Sequence, residues 1–461
     1  MRRTPPILAA LGLLAAIVCA TPAQAATGIA AVHGFAPSHV VVKLDGERRG
    51  RTLPLPPGAG VRETATALRA NPQVAYAVPD YVATASVDPS FAPPDDSGTL
   101  SHGAEAASAA GDWAFKQWNF LSPEVEGGLR LPTSVGGIDA VGAWRNLDEI
   151  GRPGALGITV AVLDTGVAYR DDGPRFLRSP DFAANQFAPG YDFVDDDRLP
   201  LDENGHGTHV AGTIGEETGN GIGLTGIAYN AKLMPVRVLD AHGRGRASDI
   251  AKGIRFAVRH GAQAINMSFN FGCGKKVPEV DEALREAYEH GVVTVASAGN
   301  LGSETCVSEP ATGPRVIAVG GSTEGGCLGS YSLAGPEIDV LAPGGGRPSG
   351  DCASISSRPI YQVTLRRGST KDFAIPGDYV GTSMAAAHVS GVAALVLAAD
   401  SYGGPRFSSE TEQAAKDRVV SVTHWLRRTA RDLGMPRIEQ GAGLIDAAAA
   451  TAPRRYLGAS G

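Results

Sequence analysis

Three short motifs in this sequence contain the side chains of a serine nucleophile, its base and an orienting acid. Asp164 ends an apolar run, His206 opens a glycine-rich segment, and Ser383 opens a long apolar segment. A serine hydroxyl is a weak nucleophile at neutral pH, so a base must take its proton during attack. Histidine suits this role because its reference pKa is about 6.5, and a carboxylate fixes the tautomer of its ring. The three residues lie far apart in the sequence, so only a fold can bring them together.

Asn300 is the candidate for a further part of the same chemistry. A tetrahedral intermediate carries an oxyanion, which needs donors that are already in place. Ser383 is predicted to begin a helix that runs to Ala399, so its backbone N–H and the positive end of the helix dipole would face that oxygen. The side-chain amide of Asn300 is the predicted second donor. Together the four residues predict acyl transfer through a serine nucleophile.

The elements that must position these residues follow from the apolar runs. Short β-branched strands alternate with helical segments from Trp113 onward, which predicts an α/β fold with a doubly wound, mostly parallel sheet flanked by helices. Ligand sites in such sheets lie beyond the carboxyl ends of the strands, where Asp164 and Asn300 are predicted. The predicted strands are 157–163, 231–239, 263–269, 292–297 and 316–319, and the predicted helices are 248–260 and 280–290.

The N-terminal part divides into segments of different composition. Residues 1–25 combine two arginines, an apolar run and small residues before Ala26, which is the pattern of a secretory signal peptide. The alternative, a retained membrane anchor, is disfavoured because the apolar run is too short to span a bilayer. Residues 26–86 hold two β-branched strands around a helical segment and predict a small α+β unit. Residues 87–112, rich in Pro, Asp, Ser, Gly and Ala, are predicted as a linker, and 113–461 as the main domain.

Composition restricts the partners and the compartment. The formal net charge of −7 is not concentrated in one segment, so neither nucleic acid nor an anionic membrane is a predicted partner. The apolar run 384–399 contains His388 and Ser390 and is predicted as a buried core helix. We therefore predict an exported, extracellular or periplasmic protein, monomeric and without a stable membrane anchor.

Four cysteines follow the predicted signal peptide. An even number in an exported chain favours two disulfides over metal ligation, and no C-x-x-C spacing is present. Four cysteines allow three pairings, and proximity in the sequence favours Cys273–Cys306 and Cys327–Cys352.

Taken as a set, the motifs resemble those of the subtilisin-like serine proteases, or subtilases. The segments 164–166, 206–213, 298–300 and 381–385 match in the family order Asp, His, Ser, and the resemblance extends from Trp113 to Ala449. It implies a subtilisin-like fold and a secreted serine endopeptidase that cleaves polypeptides through an acyl-enzyme intermediate, with no cofactor required for the chemistry. The leader resembles the family's inhibitory propeptide, which implies a self-processing zymogen with its own propeptide as a partner.

The resemblance also implies substrate and calcium sites. Gly243 and Gly245 match the edge strand that pairs with substrate backbone, while Arg244 and Arg246 either favour acidic substrate side chains or are simply solvated. Asp181 and Asn220 match a calcium site that backbone carbonyls complete. An acidic loop, with Asp195, Asp196, Asp197 and Asp202, is either a second ion site or a solvated loop. The implied walls of the pocket for the P1 residue of the substrate are Ser268, Phe269, Asn270, Ser297, Ala298 and Gly299.

The chain departs from the family pattern at two positions. Asn270 stands where glycine is usual, which changes the width of the P1 pocket; with Leu301 nearby, we predict uncharged or apolar P1 residues. Ala387 stands where proline is usual, four residues after the nucleophile, so the helix is predicted to run regularly.

The same residues allow three alternatives to a serine protease: an aspartic protease, a zinc site and a catalytically silent relative. Asp164-Thr165-Gly166 is also the signature of aspartic proteases, but their mechanism needs two carboxylates and no second such motif exists. His206 and His209 lack the glutamate and third ligand of a zinc site. A catalytically silent peptide-binding relative of the same fold remains the alternative.

Overall fold

The chain divides between Val87 and Asp88 into two units. The structure, a computed structural model, describes residues 35–47, 51–56, 58–81, 94–100, 112–124, 131–302, 305–352, 357–404 and 411–453. The predicted signal peptide, residues 1–25, lies outside the described residues.

The described residues of the first unit form an antiparallel sheet and a helix. Its strands are β1 (Phe35–Leu44), β2 (Arg51–Pro54) and β3 (Val74–Tyr81), paired in the order β2-β1-β3, and its helix is α1 (Val61–Arg69). Val40, Ala65 and Ala77 are fully buried between the sheet and the helix. The small α+β architecture is therefore confirmed. Strand β2 was not predicted, because it is a mostly exposed edge strand without an apolar run.

The second unit is built on a seven-stranded parallel sheet. Its strands are β4 (Thr159–Asp164), β5 (Tyr191–Asp192), β6 (Lys232–Arg237), β7 (Ala264–Met267), β8 (Val293–Ser297), β9 (Val316–Ser322) and β10 (Val340–Pro343). They pair in the order β10-β9-β8-β7-β4-β6-β5. Every residue of β7, β8 and β9 is buried, as expected for parallel strands that are covered on both faces. The predicted parallel α/β architecture is confirmed.

Helices and a short hairpin surround this sheet. Strands β11 (Thr364–Leu365) and β12 (Phe373–Ala374) form the hairpin. The helices are α2 (Trp113–Lys116), α3 (Ala140–Glu149), α4 (His206–Gly215), α5 (Ala247–Arg259), α6 (Pro278–Glu289), α7 (Thr382–Ala399), α8 (Glu412–Thr429), α9 (Arg437–Gln440) and α10 (Ala447–Thr451).

Helix α7 is the core helix of the second unit. It is the one helix among the described residues that is long and apolar enough to cross a membrane, but 89% of it is buried inside the protein. It packs against β7, β8, β9 and α4. This burial agrees with the prediction of a core helix. Packing inside the protein accounts for the apolar composition of the helix, and no membrane is needed to explain it.

Part of the predicted linker belongs to the second unit. The backbone N–H of Gly98 donates to the carbonyl of Gly223 at 2.8 Å, and the N–H of Gly223 donates to the carbonyl of Thr99 at 2.6 Å. Asp96 is fully buried. Residues 98 and 99 of the predicted linker 87–112 are therefore hydrogen-bonded to a distant loop, a contact that their polar composition does not reveal.

Two disulfides have the predicted pairing. Cys273 and Cys306 are joined with a Cα–Cα distance of 5.8 Å, and Cys327 and Cys352 with one of 6.3 Å. Both distances lie in the usual range for a disulfide. The first bridge ties the segment after β7 to the segment after β8.

Candidate active site

Asp164 and His206 meet at the carboxyl end of the sheet. Strand β4 ends at Asp164 and helix α4 begins at His206, and the Nδ1 atom of His206 lies 2.7 Å from Oδ1 of Asp164. The aspartate side chain is fully buried, whereas 27% of the histidine side chain is exposed. A buried carboxylate and a partly exposed imidazole are the arrangement that a general base and its orienting acid require.

The electrostatics of His206 suit a base. Burial lowers the pKa of His206, but the charge of Asp164 and its hydrogen bond, with a smaller contribution from Asp202, outweigh burial and raise the pKa above its usual value. A raised pKa makes the neutral imidazole a stronger proton acceptor. Since the base must be neutral, this function is lost as the pH falls below that pKa.

Asp202 fixes the two loops that carry the acid and the base. Its Oδ1 accepts a hydrogen bond from the hydroxyl of Thr165 at 2.9 Å, and its Oδ2 accepts from the N–H and the hydroxyl of Thr208 at 3.0 and 2.6 Å. It is fully buried, and burial raises its pKa despite these bonds. Sequence reasoning placed Asp202 in an acidic loop, whereas the structure makes it an internal anchor of the site.

Ser383 is the second residue of helix α7. Its Oγ donates to the backbone carbonyl of Ser268 at 3.0 Å, and no hydrogen bond to His206 is present among the described residues. In turn, the hydroxyl of Ser268 donates to the backbone carbonyl of Ser383 at 2.8 Å. A rotation about χ1 would release the Ser383 hydroxyl for another acceptor, and catalytic hydrogen bonds of proteins without ligand often tighten only when substrate binds.

Asn300 is held by the first turn of helix α7. Its Oδ1 accepts hydrogen bonds from both the N–H and the hydroxyl of Thr382, each at 2.9 Å. These two donors fix the amide oxygen, so the amide NH₂ group points to the other side. A Cβ atom on Gly381 would lie 3.0 Å from Nδ2 of Asn300, which explains glycine at the position before the helix. The Asn300 side chain is thus fixed through its oxygen to the residue that precedes Ser383.

Residues 156–444 match the Subtilase family. The chain belongs to the subtilase family. The thermophilic serine proteinase of Bacillus sp. (strain AK1) is 40% identical over 243 residues, which are 53% of this chain and 53% of that protein. Subtilisin BL of Lederbergia lenta is 34% identical over 295 residues, 64% of this chain and 91% of that protein. A solved protease of Pseudoalteromonas arctica PAMC 21717 is 28% identical with a TM-score of 0.57, covering 78% of this chain and 98% of its own.

Members of this family are serine endopeptidases, and in this subtilase buried side chains hold helix α7, which carries Ser383. Nδ2 of Asn266 donates to Oγ of Ser268 at 2.9 Å, and Oγ of Ser390 donates to Oδ1 of Asn266 at 2.9 Å. With the bond from Ser268 to the Ser383 carbonyl, these contacts tie two turns of α7 to the end of β7. Ser268 was predicted only as a residue of the P1 pocket wall, and its contact with helix α7 was not predicted.

The two predicted walls of the P1 pocket are brought together. Strands β7 and β8 are neighbours in the sheet, and the hydroxyl of Ser297 donates to the carbonyl of Phe269 at 3.3 Å. Asn270 is exposed, and 59% of Leu301 is exposed beside Asn300. Ala298 is buried, and Gly299 donates its N–H to the hydroxyl of Thr382 at 3.2 Å.

The predicted edge segment is partly a turn. Gly243 has a φ of +72° and donates its N–H to the carbonyl of Asp240 at 2.9 Å. Gly245 follows this turn, and a Cβ atom there would lie 2.2 Å from the carbonyl oxygen of Val238. The backbone conformation at Gly243 and the close contact at Gly245 therefore both favour glycine.

Asp181 and Asn220, the predicted calcium ligands, are in contact. Nδ2 of Asn220 donates to Oδ1 of Asp181 at 2.9 Å, and the N–H of Leu224 donates to Oδ2 at 2.7 Å. Burial raises the pKa of Asp181 well above its usual range and raises that of Asp96 to about 6. Glu216 is also fully buried, and burial followed by the charge of Asp181 raises its pKa. Such a concentration of buried carboxylates fits a cation.

The remaining ligands would have to come from the backbone. The described part of the chain contains no group of three or more His, Cys, Asp or Glu side chains that could hold a metal. Calcium, however, accepts carbonyl and amide oxygens together with carboxylates. In the acidic loop, Asp195 lies 2.7 Å from the Arg237 guanidinium, which also contacts Asp192 at 2.8 Å. This arginine, which also contacts Glu203 at 2.9 Å, offsets part of the loop charge.

Helix α7 runs without interruption past Ala387. In Ala387→Pro, residue 387 has no backbone N–H to donate to the carbonyl of Ser383, four residues earlier. That carbonyl keeps the hydrogen bond from the Ser268 hydroxyl. We expect a folded variant that loses less than the ~3 kcal/mol typical of an interior proline. We also expect its acyl-enzyme to partition differently between water and an added amine, because Ser383 shifts slightly. Melting temperature and product ratios measure both effects; unchanged kcat/KM and product ratios would show that residue 387 does not position Ser383.

Proposed function

We propose that this subtilase is a secreted endopeptidase that hydrolyses polypeptides with Ser383 as nucleophile, His206 as base and Asp164 as orienting acid. The observation that supports this most is the 2.7 Å contact of Asp164 with His206. Asn300, fixed by Thr382 beside the serine, supports it further.

The proposed reaction follows from these positions. When substrate binds, the Ser383 hydroxyl leaves the Ser268 carbonyl and attacks the scissile carbonyl while His206 takes its proton. The oxyanion accepts hydrogen bonds from the Asn300 amide and the Ser383 backbone N–H. The C–N bond then breaks as His206 gives the proton to the leaving amine. Water then attacks the acyl carbon while His206 takes its proton; the C–O bond to Ser383 breaks, the acid product leaves, and His206 returns the proton to the Ser383 oxygen.

A serine-directed phosphonate tests this proposal. It should label Ser383 in secreted, processed protein, with the modified residue found by peptide mass spectrometry. Heat-unfolded protein is the control and should not react, because an unassisted serine is a weak nucleophile. Absence of labelling in folded, processed protein would favour the catalytically silent alternative.

We further propose that residues 1–25 direct export and that residues 26–86 act as a propeptide that the enzyme removes itself. The first unit has its own sheet and core, and the chain divides after Val87. N-terminal sequencing of secreted protein would locate the mature start. Processing that proceeds normally in a Ser383→Ala chain would instead point to another protease.

Calcium is proposed as a structural ion at Asp181 and Asn220, where it would supply the positive charge that the buried carboxylates lack. We expect calcium to raise the melting temperature relative to a chelator, since a ligand at 1,000 times its Kd adds about 4 kcal/mol. In Asp181→Asn this response should disappear. Asp195→Asn is the matched control, because Asp195 is paired with Arg237 and its loss should leave the response intact. Equal melting temperatures of the wild-type protein in calcium and in chelator would contradict the proposal.

A further inference from the structure

The hairpin β11–β12 is hydrogen-bonded to the residue that precedes His206. Its strands pair Thr364 with Ala374 and Leu365 with Phe373. The hydroxyl of Thr364 donates to the carbonyl of Gly205, the residue that precedes His206. The hairpin therefore begins beside the base of the proposed triad.

The far end of the hairpin is also anchored. The hydroxyl of Thr370 donates to the carbonyl of Arg175, and the N–H of Leu177 donates to the carbonyl of Thr370 at 3.2 Å. Within the turn, the N–H of Arg366 donates to the carbonyl of Asp372 at 2.7 Å. Attachment at both ends fixes the backbone of the residues between them, Arg366 and Arg367.

Both arginines line a cavity of about 1190 Å³ that His206 also lines. Arg244, from the turn after β6, lies on the same cavity, as do Asn204 and Tyr379. The Tyr379 ring stacks on the buried His209 ring with centroids 4.0 Å apart, so this wall is fixed to helix α4. A substrate side chain close to the scissile bond can therefore reach the guanidinium groups.

The charge of this cavity is only partly balanced by the described acids, since Asp240, just outside the lining, interacts electrostatically with Arg244. Arg244 and Arg366 form no ion pair with another described residue, and Asp378 is the one acid among the lining residues. Asp378 lies 3.6 Å from Arg367, but the two side chains are 64% and 95% exposed, and such a pair contributes little. Asp240 accepts hydrogen bonds from the backbone N–H groups of His242 and Arg244 outside the lining. Guanidinium groups bind carboxylates with matched geometry.

We propose that this arginine-lined cavity binds an acidic side chain of the polypeptide substrate within three residues of the scissile bond. The inference rests on the proposed function, because it concerns selection among substrates of the same site. An extended peptide advances about 3.3 Å per residue, so only residues close to the bond lie near His206. The chain would thus prefer glutamate or aspartate at one such position.

Paired fluorogenic peptides that differ by Glu or Gln at single positions test this preference. The wild-type protein should cleave the Glu peptide with at least about fivefold higher kcat/KM at one position, and the ratio should shrink at high salt. The double variant Arg366→Gln/Arg367→Gln should bring the ratio close to one, and Arg366→Glu/Arg367→Glu should favour a Lys peptide. Arg285→Gln, which removes an exposed arginine on α6, is the matched control and should keep the wild-type ratio.

A wild-type ratio near one at every position, or a ratio that the double Gln variant retains, would overturn the inference. Equilibrium binding of the same peptides to the same preparations measures the preference without turnover. Cleavage of neither peptide, with tighter binding of the Glu peptide, would contradict the proposed function and support the cavity. Cleavage of both peptides at equal rates would support the proposed function and contradict the acidic preference of the cavity.

Discussion

The Ser383→Ala variant is expected to lose peptide hydrolysis by a factor of about 10⁶ in kcat, the magnitude found for the nucleophile in subtilisin itself. Without the hydroxyl no acyl-enzyme forms. The donors at Asn300 and at the helix terminus can then stabilise only the direct attack of water on the substrate. The measurement is kcat and KM on a chromogenic peptide, with protein purified free of host proteases.

Two controls separate loss of chemistry from loss of fold. Ser330→Ala removes an exposed serine outside the site and should retain full activity. The Ser383→Ala protein should unfold at nearly the wild-type temperature, because its Oγ contributes only the bond to the Ser268 carbonyl. Residual activity within a hundredfold of the wild type would show that another residue is the nucleophile.

The second large effect is expected at Asn300. Removing one oxyanion donor in subtilisin itself lowered kcat by about 10²–10³, and we expect a similar loss with little change in KM for Asn300→Leu. Leucine also leaves the buried N–H and hydroxyl of Thr382 without their acceptor, which should destabilise the fold by about 1–3 kcal/mol.

Asn300→Asp distinguishes the two roles of this side chain. Aspartate retains an acceptor for Thr382 but has no N–H to donate, and its charge repels the developing oxyanion. Its kcat should therefore fall at least as far as that of the leucine variant, while its melting temperature stays closer to that of the wild type. An Asn300→Asp protein with kcat within tenfold of the wild type would exclude the amide as an oxyanion donor.

The strands were predictable wherever their burial leaves a run of apolar residues in the sequence. Strand β9 is buried on both faces and begins with the unbroken apolar run 316–319, from which its position follows. Strands β5, β11 and β12 contain only two residues each and leave no pattern at all. Strand β10 was also missed, since its four residues end in proline.

The site was predictable where a residue type implies a reaction. Asp164 and His206 were predicted as partners and are in contact. The anchoring by Asp202 was not predictable, because its partners Thr165 and Thr208 come from two separate segments. Asp96 lies in a polar run that composition assigns to a linker, and only its hydrogen bonds from the 218–220 loop place it in the folded unit.

The position of helix α7 has a consequence for how this protein becomes inactive in solution. The same buried helix fills the core and carries Ser383, so a molecule that loses its core packing also loses its nucleophile geometry. An unfolded copy can therefore be digested but cannot digest others. Self-digestion should need one folded and one unfolded molecule, so its rate should rise with protein concentration, while dilute samples inactivate by unfolding alone.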